Sequence, residues 1–304
     1  MSKKSIINPG RTIGRAIREV AREILADARS VLDDPSRSDA SVIHDFRRAM
    51  KRWRALLRLL GPILGEESRQ LRLEARDLAR ELSGPRDAQS ALDALHDILE
   101  SDPPGDIHPP RSIDQMVLRL KKNRKKMELT QLNSKLRARL VHALDAASAS
   151  IDHWPMKAMT FNEILERLAD AYRRARNSTP KKWASAMPQE LHKLRQRVVV
   201  HRYQMELLKP LWPRLGRAWI REAQRLRDQL GKYQDLAVLI RMTEPQQPLA
   251  HWRSQLLPII AQRQADHATV AKRTAARLFA ETPKAFRRRF EALWEASGGK
   301  VANQ

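Results

Sequence analysis

The chain has 304 residues, of which 42% are hydrophobic and 31% charged, a composition typical of a globular protein and not of a disordered one. Its 58 Lys and Arg outnumber its 35 Asp and Glu, and the resulting net charge of +23 favours polyanionic partners such as nucleic acid, anionic membranes or polyphosphate. The absence of cysteine excludes disulfides, thiolate metal sites and cysteine catalysis.

Ala, Leu, Arg, Glu and Gln dominate the sequence, and no stretch alternates with a period of two, so we predict an all-α fold. Prolines mark the ends of the predicted helices. The first half is predicted to contain helices at 12–33, 40–60, 66–82 and 87–100, a loop at 101–110 and a long basic helical stretch at 112–151. The second half is predicted to contain helices at 158–177, 189–209, 214–230, 235–243, 249–280 and 284–296.

The two halves are related in sequence. A shift of 148 residues aligns the segment that starts at His44 with the segment that starts at His192, without a gap, through Pro62 and Pro210. The register continues across the next two predicted helices. We therefore predict one domain, 10–296, built from two helical repeats at about 10–151 and 155–296 that pack about a pseudo-twofold axis, with flexible termini at 1–9 and 297–304.

The second predicted helix carries a basic stripe beside a separate apolar stripe. The stripe has spacings of three, four and seven residues and spans roughly 21 Å of helix, which suits a linear polyanion. No acid interrupts it between Arg47 and Arg58, whereas an ordinary solvated face, the alternative interpretation, would carry acids for ion pairs. Its members are His44, Arg47, Arg48, Lys51, Arg54 and Arg58.

Other basic residues are weaker candidates for the same site. In the third helix and its counterpart, intrahelical salt bridges explain the pattern equally well, and elsewhere the cations could belong to solvated arms. These candidates are Arg69, Arg72, Arg76, Arg217, Arg221, Lys122, Lys125, Lys272 and Arg273. Asp87 and Asp235 are predicted to cap the fourth helix of each repeat, or else to pair with a buried arginine.

Catalytic signatures are absent from the sequence. It has no glycine-rich phosphate loop, no nucleophile elbow, no HExxH motif and no paired carboxylates, so we expect a protein that binds without turnover and uses neither metal nor cofactor. Nucleic-acid or ribosome binding is the main alternative, and a triphosphate or polyphosphate phosphohydrolase a further one. Aromatic residues make up only 5% of the chain, too few for typical single-strand stacking platforms.

The motif residues of both copies resemble the CHAD domain, the conserved histidine α-helical domain. The first copy reads His44-Asp45, Arg47-Arg48, Lys51-Arg52 and Arg54, followed by Leu82 and Gly84-Pro85-Arg86-Asp87. The second copy is degenerate: Gln196, Val199 and Glu206 stand where the first has Arg48, Lys51 and Arg58. In this copy the site residues are expected to be His192, Lys193, Arg195, Arg197, His201 and Arg202.

The resemblance implies two four-helix bundles about a pseudo-twofold axis and a basic central cavity that binds inorganic polyphosphate. It also implies association with polyphosphate granules. From the residues themselves, with no cysteine, no signal peptide and no apolar span, we expect a cytoplasmic protein without membrane association that binds nucleic acid only nonspecifically. Some members of the family are fused to a triphosphate-tunnel domain whose strand reads E-x-E-x-K. That strand is absent from this sequence, so we expect a stand-alone protein.

Overall fold

A computed structural model describes residues 12–82, 86–101, 110–127, 132–156 and 159–298. Within these ranges the chain is all-helical, with no β-strand and with short 3-10 turns between some helices. The α-helices are α1 Ile13–Asp33, α2 Asp39–Leu64, α3 Glu66–Glu81, α4 Arg86–Ser101, α5 Pro110–Met127, α6 Ser134–Ser150, α7 Phe161–Asn177, α8 Pro188–Leu208, α9 Pro213–Arg241, α10 Arg253–Leu278 and α11 Pro283–Ala296. The predicted all-α class is confirmed.

Two predictions fall wholly or largely outside the described residues. The terminal segments 1–9 and 297–304 are described only at Ser297 and Gly298, and the predicted loop 101–110 only at its two ends, which belong to α4 and α5. The Gly84-Pro85 part of the first motif also lies outside the described ranges.

Helix α2 extends past the predicted stop at Gly61-Pro62 and ends at Leu64. Proline removes one backbone hydrogen bond but does not by itself end a helix whose neighbouring turns are packed. Here Leu60 and Leu64 are buried, and the Ser68 hydroxyl donates to the Leu57 carbonyl at 2.7 Å, so α3 stabilises the last turns of α2. The helix stops at Gly65, whose φ of 54° favours glycine.

Two further boundaries differ from the predictions. The basic stretch predicted as one helix is divided into α5 and α6, and the Asn133 side chain caps the start of α6 by accepting from the Leu136 amide at 2.8 Å. Conversely, α9 runs unbroken through the positions predicted as two helices. Asp235 therefore lies inside a helix and is not a cap, while Asp87 lies in the first turn of α4 and pairs with Arg241 at 3.2 Å.

Two hydrophobic cores hold the helices together. The larger core joins α1, α2, α3, α6, α7, α8, α11, the first half of α9 and the second half of α10. The smaller core joins α4 and α5 to the second half of α9 and to α10, through residues such as Leu95, Leu239 and Ile260. The boundary between the cores therefore does not follow the boundary between the two halves of the sequence, because α4 and α5 pack on helices of the second half.

A buried ionic cluster joins the helices of the smaller core. Asp97 on α4 is only 6% exposed and accepts a hydrogen bond from Lys232 Nζ on α9 at 2.7 Å. It also accepts from Arg263 Nη2 at 3.0 Å and His267 Nε2 at 2.6 Å, both on α10. Burial alone would raise the pKa of Asp97, but the hydrogen bonds from Lys232 and His267 outweigh burial and hold the pKa below its usual value.

Replacing Asp97 by Asn should lower the free energy of unfolding at pH 7 by about 3 kcal/mol, because the partly buried Arg263 and the buried His267 lose the carboxylate that accepts their hydrogen bonds, and Lys232 loses its counter-charge. Since the folded-state pKa is depressed, the contribution of Asp97 is present above about pH 4 and is lost as the pH falls through the lowered value. Urea unfolding at several pH values measures both effects. Asp93→Asn, on the exposed side of α4, is the control, and an equal loss in both variants would contradict the assignment.

Candidate functional site

Helices α2 and α8 cross at the centre of the site, and small or apolar residues allow their close approach. Ala55 on α2 is buried against Val200 and Tyr203 on α8. The Gln204 side chain donates from Nε2 to the Ala55 carbonyl at 3.3 Å, while its buried Oε1 has no hydrogen-bond partner in the described part of the chain. These contacts fix the spacing of the two helices that carry the predicted basic residues.

A cavity of about 430 Å³ lies on one side of this crossing, between α2, α3, α7 and α8. Six arginines from four helices line it, together with two acids and a few small or apolar residues. We call it the arginine cavity. Its arginines are Arg58 on α2, Arg69 and Arg72 on α3, Arg167 and Arg174 on α7, and Arg197 on α8.

The two acids in the wall neutralise only part of this charge. Glu66 pairs with Arg69 at 2.8 Å, and Asp170 lies 3.9 Å from Arg174. Within the described ranges no carboxylate pairs with the four other arginines of the lining, which are Arg58, Arg72, Arg167 and Arg197. The cavity thus concentrates positive charge that the protein itself does not balance.

Two arginines of α2 have lowered pKa values in this arrangement. The Arg58 side chain is exposed to the water in the cavity, but protein atoms of the cavity walls surround it. The resulting loss of hydration lowers the pKa of Arg58 to about 10. Nearby positive charges lower it further, and they belong to Arg54, Arg72, Arg197 and Arg174. Burial, followed by the charges of Arg76, Arg72 and Arg80, likewise lowers the pKa of Arg54. Positive charge is therefore continuous from the cavity along the α2–α3 groove.

The outer part of the predicted stripe lies further toward the start of α2. His44, Arg48 and Lys51 are exposed, and Arg48 pairs with Asp45 at 3.3 Å. Arg47 is half-buried and reaches the Leu82 carbonyl at the end of α3, 3.5 Å from Nη1. The stripe is thus a surface that leads toward the cavity, with Arg47 also joining two helices.

The predicted residues of the second copy occupy several different environments. Arg195 lies against Gly231 of α9 and donates to Gln234 Oε1 at 3.2 Å. Arg202 pairs with Glu206 at 3.1 Å and covers the Tyr203 ring at 4.1 Å. His192 and Lys193 are exposed on the first turns of α8.

His201 lies in the core and does not face the arginine cavity. It is 1% exposed, packs beside Tyr172, and accepts a hydrogen bond from Trp219 Nε1 at 2.8 Å. Burial lowers the pKa of His201 to about 3, so the ring is neutral and acts as a hydrogen-bond acceptor. Core packing and the hydrogen bond from Trp219 therefore account for His201, and no ligand is needed to explain its position.

The remaining predicted residues lie away from the arginine cavity. Arg217 and Arg221 line a second cavity on the opposite side of α2 and α8. Lys122, Lys272 and Arg273 are exposed on α5 and α10, and the side chain of Lys125 lies outside the described set. Arg76 lies close enough to Arg54 for its charge to lower the pKa of Arg54, and it pairs with Asp77 at 2.9 Å.

Sequence analysis missed the contribution of α7. Arg167 and Arg174 lie seven residues apart on one face of this helix, a spacing that could have indicated a shared surface. The repeat register did not reveal them, because ten residues separate α7 from α8 whereas five separate α1 from α2. A gap-free alignment therefore ends before the first helix of each half.

The described residues contain no group of three or more His, Asp or Glu side chains placed to hold a metal ion. They also contain no helix long and apolar enough to cross a bilayer.

The fold and site define an all-α protein with an arginine-lined cavity between its central helices. A comparison with protein families matches residues 15–244 to the CHAD domain, so the chain belongs to the CHAD domain family. No curated protein and no solved structure matches the chain. The family match includes α1 to α9 and ends before α10 and α11.

Replacing Arg58 by Gln should stabilise the free protein in low salt, because it removes a charge that its neighbours repel. Solvent screening limits the expected gain in unfolding free energy to about 1 kcal/mol or less. Thermal unfolding at low salt and at about 1 M salt, where the Debye length is ~3 Å, should show the gain shrinking with screening. Arg277→Gln on the exposed face of α10 is the control, and a loss of stability for Arg58→Gln in low salt would contradict the repulsion argument.

Proposed function

We propose that this CHAD domain protein binds inorganic polyphosphate in the arginine cavity and along the basic stripe of α2, and that it does so without turnover. The observation that carries the proposal is the set of unbalanced arginines in the cavity wall, contributed by α2, α3, α7 and α8. Phosphate oxygens suit these side chains, because arginine presents a planar fork of donors that can bridge two oxygens. The negative charge of a bound phosphate would stabilise the charged forms of Arg58 and Arg54, whose pKa values are lowered by burial and then by neighbouring arginines.

The extent of the charged surface favours a chain over a single phosphate. The stripe from His44 to Arg58 spans roughly 21 Å along α2, and its inner end opens into the cavity. Polyphosphate repeats one negatively charged unit along a flexible chain, so a longer polymer contacts more of these cations. Affinity should therefore rise with chain length until the stripe is filled.

The predicted pseudo-twofold relation between the halves forms part of the proposal. Under the shift of 148 residues Ala55 corresponds to Tyr203, and these two residues pack on each other at the crossing of α2 and α8. A residue that contacts its own counterpart is the feature expected beside a twofold axis. The arginine cavity would then have an equivalent place on the other side of the crossing.

Nucleic acid is the main competing partner, since its phosphates would be attracted by the same charges. Among the described residues, the lining of the arginine cavity includes no aromatic side chain on which a base could stack. The choice between polyphosphate and nucleic acid therefore depends on chain geometry and charge density, which a competition assay can measure.

The proposal is tested by competition at about 0.15 M salt, where exposed charges are screened beyond ~8 Å. Labelled long-chain polyphosphate bound to the protein is challenged with RNA, duplex DNA, triphosphate and unlabelled polyphosphate, and phosphate release is followed in the same samples. We expect only polyphosphate of comparable length to compete efficiently, with no phosphate released. Equal competition by RNA would favour nucleic acid over polyphosphate as the partner. Metal-dependent phosphate release would overturn the non-catalytic part of the proposal.

Reversing two charges on opposite walls of the cavity, Arg72→Glu with Arg197→Glu, should weaken binding of every chain length. Loss of charge-assisted hydrogen bonds predicts roughly a tenfold effect per arginine, and the slope of log K against log salt should fall by about 1 for each cation removed. Arg277→Glu with Arg288→Glu changes the net charge equally at exposed positions of α10 and α11 and is the matched control. Equal weakening by both pairs would show that only the total charge matters.

The outer stripe can be separated from the cavity by a second pair, Arg47→Glu with Lys51→Glu. This pair should weaken long chains but leave triphosphate binding nearly unchanged, because triphosphate can be held by the cavity alone. Circular dichroism checks that the helices remain, since Arg47 also contacts the end of α3. The proposed location is tested in cells with a fluorescent fusion of the Arg72→Glu, Arg197→Glu variant. If the cavity holds the protein on granules, this variant should no longer be found on them.

A further inference from the structure

A second cavity lies on the other side of the α2–α8 crossing, between α1, α2, α8 and α9. Its volume of about 450 Å³ is close to that of the arginine cavity and within the range of about 300–1,000 Å³ usual for small-molecule sites. Gln204 belongs to the walls of both cavities. The predicted site residues Arg217 and Arg221 belong to this second cavity.

The two cavities occupy equivalent positions in the repeat. Six residues of the arginine cavity have counterparts, 148 residues away, that line the second cavity. The pairs are Arg58 with Glu206, Gly61 with Lys209, Arg69 with Arg217, Arg72 with Ile220, Val200 with Arg52, and Gln204 with Leu56. This correspondence supports a common origin of the two cavities, and the substitutions between them change the chemistry of the second.

The interior of the second cavity is apolar. Val20 and Ile24 of α1, Leu56 of α2, and Leu207 of α8 are all less than 10% exposed, and Ile220 of α9 stands where the other cavity has Arg72. Buried apolar walls favour a hydrocarbon or aromatic body over a hydrated polyanion, because removing apolar surface from water is favourable.

The remaining charges of this cavity divide into paired and unpaired groups. Glu206 accepts from Arg202 at 3.1 Å and lies 3.9 Å from Arg52, which also donates to Asp27 at 2.7 Å. By contrast, three cations of the lining have no carboxylate partner within the described ranges. They are Lys209 after the end of α8, and Arg217 and Arg221 on α9.

We propose that the second cavity binds an amphiphilic anion, with its apolar body among the aliphatic side chains and its charged head at Lys209, Arg217 and Arg221. The ligand class is an alkyl or aryl chain that ends in a phosphate or a carboxylate. Both head groups present acceptor oxygens that the arginine N–H donors can bind in the same way. The experiment below distinguishes phosphate from carboxylate. This site is separate from the one proposed for polyphosphate and does not depend on it.

The test is isothermal titration of the full-length protein with hexyl, octyl and decyl phosphate, and with octanoate, octanol and inorganic phosphate. Affinity should rise roughly three- to fourfold for each methylene that becomes buried. Binding by octyl phosphate or by octanoate supports the proposal and identifies the head group, whereas neutral octanol should bind weakly. Affinity that does not depend on chain length, or that inorganic phosphate reproduces, overturns it.

Ile220→Arg places in the apolar wall the residue that the arginine cavity has at the equivalent position, and it should reduce octyl phosphate affinity at least about tenfold. Ala218→Arg adds the same charge at an exposed position of the same helix and should have no such effect. Polyphosphate affinity, measured on the same samples, should be unchanged in both variants, which also reports correct folding. Unaltered octyl phosphate binding in Ile220→Arg overturns the site.

A second variant removes the head-group contacts without touching the buried walls. Arg217→Gln with Arg221→Gln changes two exposed side chains, so folding should be preserved. The affinity for octyl phosphate should then fall toward that for octanol, while the dependence on chain length remains. If the preference for the charged ligand persists, the head group is not held at this edge and the proposal fails.

Discussion

Mutual repulsion among arginines is the constraint on which the rest of this structure depends. Burial, followed by the charges of neighbouring arginines, lowers the pKa of Arg58, and no described carboxylate relieves Arg58. Such an arrangement persists only where other contacts hold the helices in place. The apolar packing of Ala55, Val200 and Tyr203 and the large core beneath α2 and α8 supply those contacts. The apolar faces of α2 and α8 thus stabilise the fold, whereas the basic faces of the same helices set the positive electrostatic potential at the site.

If the two halves are repeats, as the sequence predicts, the two cavities are corresponding surfaces with different chemistry. At equivalent positions, Arg58 and Arg72 face one cavity, while Glu206 and Ile220 face the other. One half therefore keeps the repulsive set of cations, and the other replaces part of it with an acid and a hydrocarbon side chain. Retaining all the cations on both sides would add repulsion at the α2–α8 crossing, where Arg52 pairs with Asp27 at 2.7 Å and lies 3.9 Å from Glu206.

The sequence was sufficient for the helical class, for the basic stripe of α2 and for the family, because local periodicity and motif spacing carry that information. It was insufficient where tertiary packing decides. Pro62 lies within α2 since α3 supports the last turns, and α9 continues where a break was predicted since both cores enclose it. Arg167 and the cluster around Asp97 were missed for a related reason. Their neighbours in space are distant in sequence. Arg167 meets residues of α2, α3 and α8 only because α7 packs beside them, and Asp97 meets Lys232 and Arg263 only because α4 packs on α9 and α10.

Helix α9 has a consequence for how the molecule could be divided. At ~1.5 Å per residue its 29 residues span roughly 43 Å, and it contributes its first half to one core and its second half to the other. Helices α4 and α5, encoded in the first half of the chain, complete the core that α9 and α10 form. A cut near residue 153, where the sequence itself repeats, would leave each fragment with an incomplete core. Under the predicted two-repeat organisation, each repeat therefore needs helices of the other to complete its core, and we expect neither half to fold alone.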